Sequence, residues 1–231
     1  MLYTPRAQAF RLLGQDAVLP VDPRRIENEI GQRYRLYGRM LPLVERGRSL
    51  GRPGAWADRI FGQIAYGLEP FFLSPAQTAS RAPVEDTSYY RLVADFARHR
   101  HRPQDSLWFA QLSAALRDTG TARHKGIRMD SEARIVRFLN GYVGGLFDSL
   151  EREGFVEGRA DTGTAVIGPK GEILKAAAGC HRFAAARVLG VAPVPLRIMG
   201  VDAGWARATG ADRGGAALVA AIAEVGRRHA A

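Results

Sequence analysis

Lys175 to Gly190 reads KAAAGCHRFAAARVLG. In it a cysteine, a histidine and an arginine follow one another as Cys180, His181 and Arg182, directly after Gly179. Cys180 is the chain's single cysteine, and His181 is one of five histidines. Two kinds of chemistry fit these residue types. A thiol at a helix start beside a histidine and an arginine is expected to have a lowered pKa and to act as a nucleophile. Alternatively, the small residues before the helix let a backbone approach an anion closely. The N–H groups of a first helical turn have no partner within the helix, and the helix dipole favours negative charge there. On that reading Ala178, Gly179, Cys180, His181 and Arg182 cradle a phosphate. Arg182 offers a planar fork of donors, and Lys175 stands nearby. The plain alternative is a helix cap with a solvated arginine and a small buried cysteine.

The flanking pattern supplies the elements that would position these groups. Ala165–Ile167 and Ile173–Lys175 read as two strands of a hairpin around the turn GPKG. HRFAAARVLG reads as a short helix closed by Gly190, and Val194–Val201 as a final strand whose prolines stand at its start. Ahead of the hairpin, Ile135, Phe138, Leu139, Tyr142, Val143, Leu146, Phe147 and Leu150 recur at helical spacing between a cap at Asp130 or Ser131 and Gly154. Gly141, Gly144 and Gly145 lie inside that helix and allow a kink or a close contact.

Further upstream, Val18, Leu19 and Val21 suggest a short strand ending in an Asp22-Pro23 turn. Helices are expected over 26–48, over 56–67, in TSYYRLVADFARHR and in PQDSLWFAQLSAALRDTG; LEPFFLSPAQTASRAP reads as irregular. Residues 215–229 read as an Ala-rich helix. TARHKGIRMD gathers Arg123, His124, Lys125 and Arg128 into a basic loop able to line a polyanion or nucleotide site.

With 231 residues, 46% of them hydrophobic, the chain can bury a sizeable core. One cysteine excludes an internal disulfide and a cysteine-cluster metal site. The formal net charge is +10, from 20 basic against 13 acidic residues in 1–130 and 13 against 10 in 131–231. Such a surface attracts nucleotides, nucleic acid or other anions. The first residues lack the apolar run of a signal peptide, and IFGQIAYGLEPFFL is too short and interrupted to span a bilayer. A cytoplasmic protein without a membrane partner is therefore expected.

Gly179, His181, Arg182, Ala185, Ala186, Leu189, Gly190 and Val194-Pro195, with the preceding helix and strand, resemble the pattern of the ParB/sulfiredoxin superfamily. VLPVDPRRI resembles its first strand and turn more loosely. The resemblance implies an α+β fold: a small mixed sheet with helices, plus a mainly helical N-terminal elaboration. It divides the chain into a leader and first strand (1–26), a helical insertion or accessory domain (27–129), the core (130–205) and a helical tail (206–231). It also implies ATP or another nucleotide, with Mg2+, held by the loop, and a phosphotransferase or NTPase acting on a small metabolite. Its base would be a carboxylate, with Glu172, Glu157 and Asp22 as candidates. The family's acidic residue before the glycine is Ala178 here. Gly-Cys-His-Arg also resembles the core of the sulfiredoxin motif, which would make Cys180 a sulfinic-acid reductase nucleophile. A non-catalytic nucleotide- or nucleic-acid-binding module is the remaining alternative.

Overall fold

The structure is a computed structural model that describes residues 4–31, 64, 66–156, 162–176 and 178–230. It is an α+β fold built on a mixed, seven-stranded sheet. Five of its strands carry the site: β1 (Val18–Val21), β2 (Asn28–Ile30), β7 (Gly163–Ile167), β8 (Ile173–Lys175) and β9 (Val194–Asp202). Along the sheet they run β1-β9-β7-β8-β2, and β4 (Arg81–Pro83) closes the edge beyond β2. β3 (Phe72–Leu73) pairs with the far end of β9. Pro83 is tolerated because β4 lies at an edge, where no further ladder bond is needed.

The strand alternation assigns the two faces. Ala165, Ile167, Ile173, Leu196 and Ile198 belong to the large core beneath the helices. Val166, Leu174, Ile30, Leu73 and Met199 form a second cluster on the opposite face, with Phe10 and Tyr66 packed against it. Side chains two apart share a face, so Lys175 stands on the helical face with Ile173 and Ala165, its register partner. α1 (Arg6–Leu13) supplies Phe10 and is tied to β9 by Arg6 Nε, which donates to the Met199 carbonyl at 2.7 Å.

On the helical face, α7 (Cys180–Leu189) packs against α3 (Ser88–Arg98) and α6 (Gly145–Glu153). α4 (Leu107–Thr119) packs against α3 and against α5 (Glu132–Phe138). α2 (Pro75–Ala79) is a single turn with a capping box from Ser74 and Gln77. α8 (Ala203–Thr209) follows β9, and α9 (Gly215–His229) lies along β1, where Gly226 gives room to Leu19. Among the described residues no helix is long and apolar enough to cross a membrane.

Most helices, the β7–β8 hairpin and β9 follow the sequence expectation. The expected single helix from Asp130 or Ser131 to Gly154 is continuous, but its middle, Leu139–Gly144, winds as a π-helix between α5 and α6. The glycines make that wider turn accessible.

Three stretches differ. The expected helix over 26–48 is replaced at its start by β2; the remainder from 32 lies outside the described residues. Ile26 and Ile30 are four apart but point into different clusters, so they are not one helical stripe. The stretch read as irregular holds β3, α2 and β4, and the stretch 27–129 thereby contributes three strands to the sheet. TARHKGIRMD is a two-stranded hairpin, β5 (Ala122–His124) and β6 (Ile127–Met129), turning at Lys125-Gly126. Of the helix expected over 56–67, residues 64, 66 and 67 are described and helical.

β9 is flanked closely enough that its glycine is dictated by space. A Cβ on Gly200 would lie 2.9 Å from the Phe71 carbonyl oxygen and 3.1 Å from Leu73. Gly200→Ala is expected to destabilise the protein by about 1–3 kcal/mol through overpacking, read as a lower urea midpoint at unchanged slope.

Candidate functional site

The site grows from the end of β8. Lys175 is 0% exposed. Its ammonium donates to the carbonyls of Ala176 and of Ala178, the latter at 2.6 Å, and stands 3.8 Å from Cys180 Sγ. It also lies 5.5 Å from the centre of the Phe183 ring. Burial pushes the Lys175 pKa down, opposed by the charges of Cys180 and Glu29. Thr164 of β7 clamps the same segment: its carbonyl accepts from Ala176 N at 2.8 Å, and its hydroxyl accepts from Ala178 N at 3.1 Å. Gly179 then turns the chain into α7 with φ +73°, a left-handed conformation that costs a side-chain-bearing residue about 1–2 kcal/mol.

At the start of α7 consecutive side chains diverge, because each residue advances about 100° around the helix. Gly179, His181 and Arg182 line a pocket of about 360 Å³ together with Lys125, Tyr142, Leu146 and Ser149. Lys125 comes from the β5–β6 turn; Tyr142, Leu146 and Ser149 lie one helical turn apart along the π-helix and α6. Lys125 and Arg182 are the cationic side chains of this lining, and no carboxylate is among its described members. Lys125 Nζ lies 5.2 Å from the Tyr142 ring centre, and the Arg182 guanidinium lies 4.8 Å from that of Phe155. The Nε of Arg182 is buried without a hydrogen-bond partner.

His181 forms the back wall. Its ring lies 5.2 Å from Trp108 and 5.2 Å from His124, with Tyr142 edge-on at 6.2 Å. Burial, and then the charges of Lys125 and His124, pull its pKa down to about 4. His181 is therefore neutral at pH 7 and adds no charge to the pocket. His124 is shifted the same way by burial, and its Nε2 is buried without a hydrogen-bond partner.

The residues singled out from the sequence thus separate into three places. Gly179, His181 and Arg182 face the pocket; Cys180 and Lys175 lie beneath the loop, and Ala178 gives its carbonyl to Lys175. The expectation of an acidic Cys180 thiol is corrected: burial pushes its pKa up, and Lys175 offsets this only in part. Glu172 stands at the other end of β8. It binds Arg81 at 2.5 Å and accepts from Lys170 N at 2.7 Å, so it closes the hairpin turn instead of reaching the pocket. Asp22 is held by Arg24 at 2.8 Å, which keeps its carboxyl below the usual range. It belongs to the opposite end of α7, where Arg187 donates to the Pro23 carbonyl at 2.6 Å. Glu157 lies outside the described residues.

Tyr142, Leu146 and Ser149 were not legible as site residues, although their 4-and-3 spacing beside three glycines is a usable signal. Glu29 was also missed. It stands opposite Lys175 in the parallel β2–β8 register, with Oε2 buried and without a hydrogen-bond partner. Among the described residues no group of three histidines, cysteines or carboxylates could hold a metal ion. No family model, curated protein or solved structure matches the chain.

Two measurements test this geometry. Lys175→Met keeps volume but leaves buried carbonyls without their donor, and is expected to cost about 1–3 kcal/mol in urea unfolding. For His181 the folded pKa of about 4 lies below the ordinary value of 6.5, so the folded state binds fewer protons. Its contribution is full above pH 6.5 and is lost as pH falls toward 4. His181→Phe is expected to flatten part of that acid loss in melting temperature.

Proposed function

We propose that the chain is a nucleotide-binding protein of ParB/sulfiredoxin type that seats the phosphates of its ligand in the pocket at the start of α7. The observation that carries this reading is the convergence of Lys125, Arg182 and the first turn of α7 on one pocket without a carboxylate in its described lining. Unpaired N–H groups and two cations suit a phosphate ester. The volume of about 360 Å³ lies within the range of small-ligand sites. The element order supports the family reading: β1 pairs with the last strand, and the β7–β8 hairpin leads through the motif into α7 and β9.

The described lining supports binding better than phosphoryl transfer. A transferase needs a base near the reacting hydroxyl, and neither Glu172 nor Asp22 reaches the pocket. A Mg2+ ion arriving with a nucleotide would be held by phosphate oxygens and water, since the described lining offers it no carboxylate. Thiol chemistry at Cys180 has the least support, because the sulfur sits beside Lys175 and its pKa is raised.

A thermal-shift titration with ATP, ADP, CTP and GTP, each with and without Mg2+, tests the proposal. At least one nucleotide is expected to raise the melting temperature, by an amount equivalent to about 2.7 kcal/mol at a hundred times Kd. Lys125→Ala and Arg182→Ala should each weaken binding about tenfold or more, since a hydrogen bond to a charged group contributes about 1.5–3 kcal/mol. Cys180→Ser should bind like the parent. No shift with any of the four nucleotides would sink the reading.

A further inference from the structure

The β5–β6 hairpin stands outside the main sheet as a two-stranded ribbon. Its register pairs Ala122 with Met129, Arg123 with Arg128 and His124 with Ile127. The alternation gives its faces different jobs. Ala122 and Met129 are buried, and His124 packs on Trp108 and His181, so that face anchors the ribbon. Arg123 and Arg128 occupy the other face, exposed and directly opposite each other. Like charges in directly opposed positions disfavour the pairing. Among the described residues no carboxylate forms an ion pair with either, whereas Arg134 nearby is neutralised by Asp130 at 3.2 Å.

The turn carries a second unfavourable choice. Lys125 and Gly126 have φ of +46° and +80°, the signature of a two-residue type I′ turn. Glycine, asparagine or aspartate is the easy residue at the first position, and Lys125 is the one non-glycine residue with positive φ among those described. The turn thus delivers Lys125 to the pocket, and the outer face keeps Arg123 and Arg128 opposed, with no carboxylate among residues 123–128, at the expense of the ribbon's own stability.

We propose that the outer face of the β5–β6 hairpin is a nucleic-acid contact surface, in which Arg123 and Arg128 grip the phosphodiester backbone. The cross-strand pair is left unneutralised within the chain because phosphates neutralise it. Such contacts position a nucleic acid without reading its sequence. The surface lies on the side of the ribbon away from His181 and stands independently of the nucleotide pocket.

Fluorescence anisotropy with a labelled 20-base-pair duplex, and separately with one of its strands, over a series of salt concentrations tests this. Binding is expected to weaken as salt rises. Arg123→Ala/Arg128→Ala should reduce the log–log salt slope by about 1.8 on the duplex, or by about 1.4 on the strand, whichever is the bound form. The same double variant should melt no lower than the parent and keep its nucleotide-induced shift. Arg123→Lys/Arg128→Lys should keep the parental slope. The proposal is overturned if neither oligonucleotide binds, or if the alanine variant binds with an unchanged slope. It is overturned equally if polyglutamate or anionic vesicles of phosphatidylserine compete as well as unlabelled oligonucleotide at equal charge.

Discussion

A single buried ammonium organises the site. Lys175 ends β8 on the helical face of the sheet, where the alternation allows no route to water. A buried polar group must be hydrogen-bonded or it costs several kcal/mol. The nearest acceptors are carbonyls of the residues that follow it, so Ala176 and Ala178 turn their oxygens inward. Thr164 completes the clamp from the neighbouring strand. The segment is thereby folded back against the sheet, and Gly179, with its positive φ, redirects the chain into α7. The lysine acts through the backbone it holds and does not line the pocket.

The divergence of neighbouring side chains follows from the same turn. Cys180 points back to Lys175, while His181 and Arg182 turn to the pocket. Consecutive residues of one tripeptide thus face different surroundings: a buried underside that holds Lys175 with Glu29 across the β2–β8 register, and an open pocket lined by Lys125 and Arg182. The histidine of the motif is held neutral at pH 7 by its burial. It is packed among Trp108, His124 and Tyr142, and serves as the rigid wall against which Arg182 and Lys125 are set.

The β5–β6 hairpin links the pocket to the surface. Its inner face is part of the aromatic wall behind His181, its turn delivers Lys125 to the pocket, and its outer face carries the opposed arginines. One short ribbon thus gives cations to two sides of the molecule.

Local pattern carried much of the fold. The helical stripe from Ile135 to Leu150, the GPKG turn of the β7–β8 hairpin, and the glycines that end α4, α6 and α7 are all nearest-neighbour or one-turn signals, and they were legible. So was the placement of Gly179 and Arg182 at a helix start. Strands β2, β3 and β4 were not, because two or three residues carry no periodicity and become strands only by pairing with distant β8, β9 and one another. The site was legible to the same extent. The sequence by itself determined that a helix start follows a glycine and a lysine-ended strand, since those features depend on residues within one turn. Only the tertiary structure decided that Cys180 faces inward, that Glu172 and Asp22 lie at the wrong ends of their elements, and that Lys125 and Tyr142 complete the pocket. Those outcomes depend on burial and on contacts between residues tens of positions apart, which no local spacing encodes.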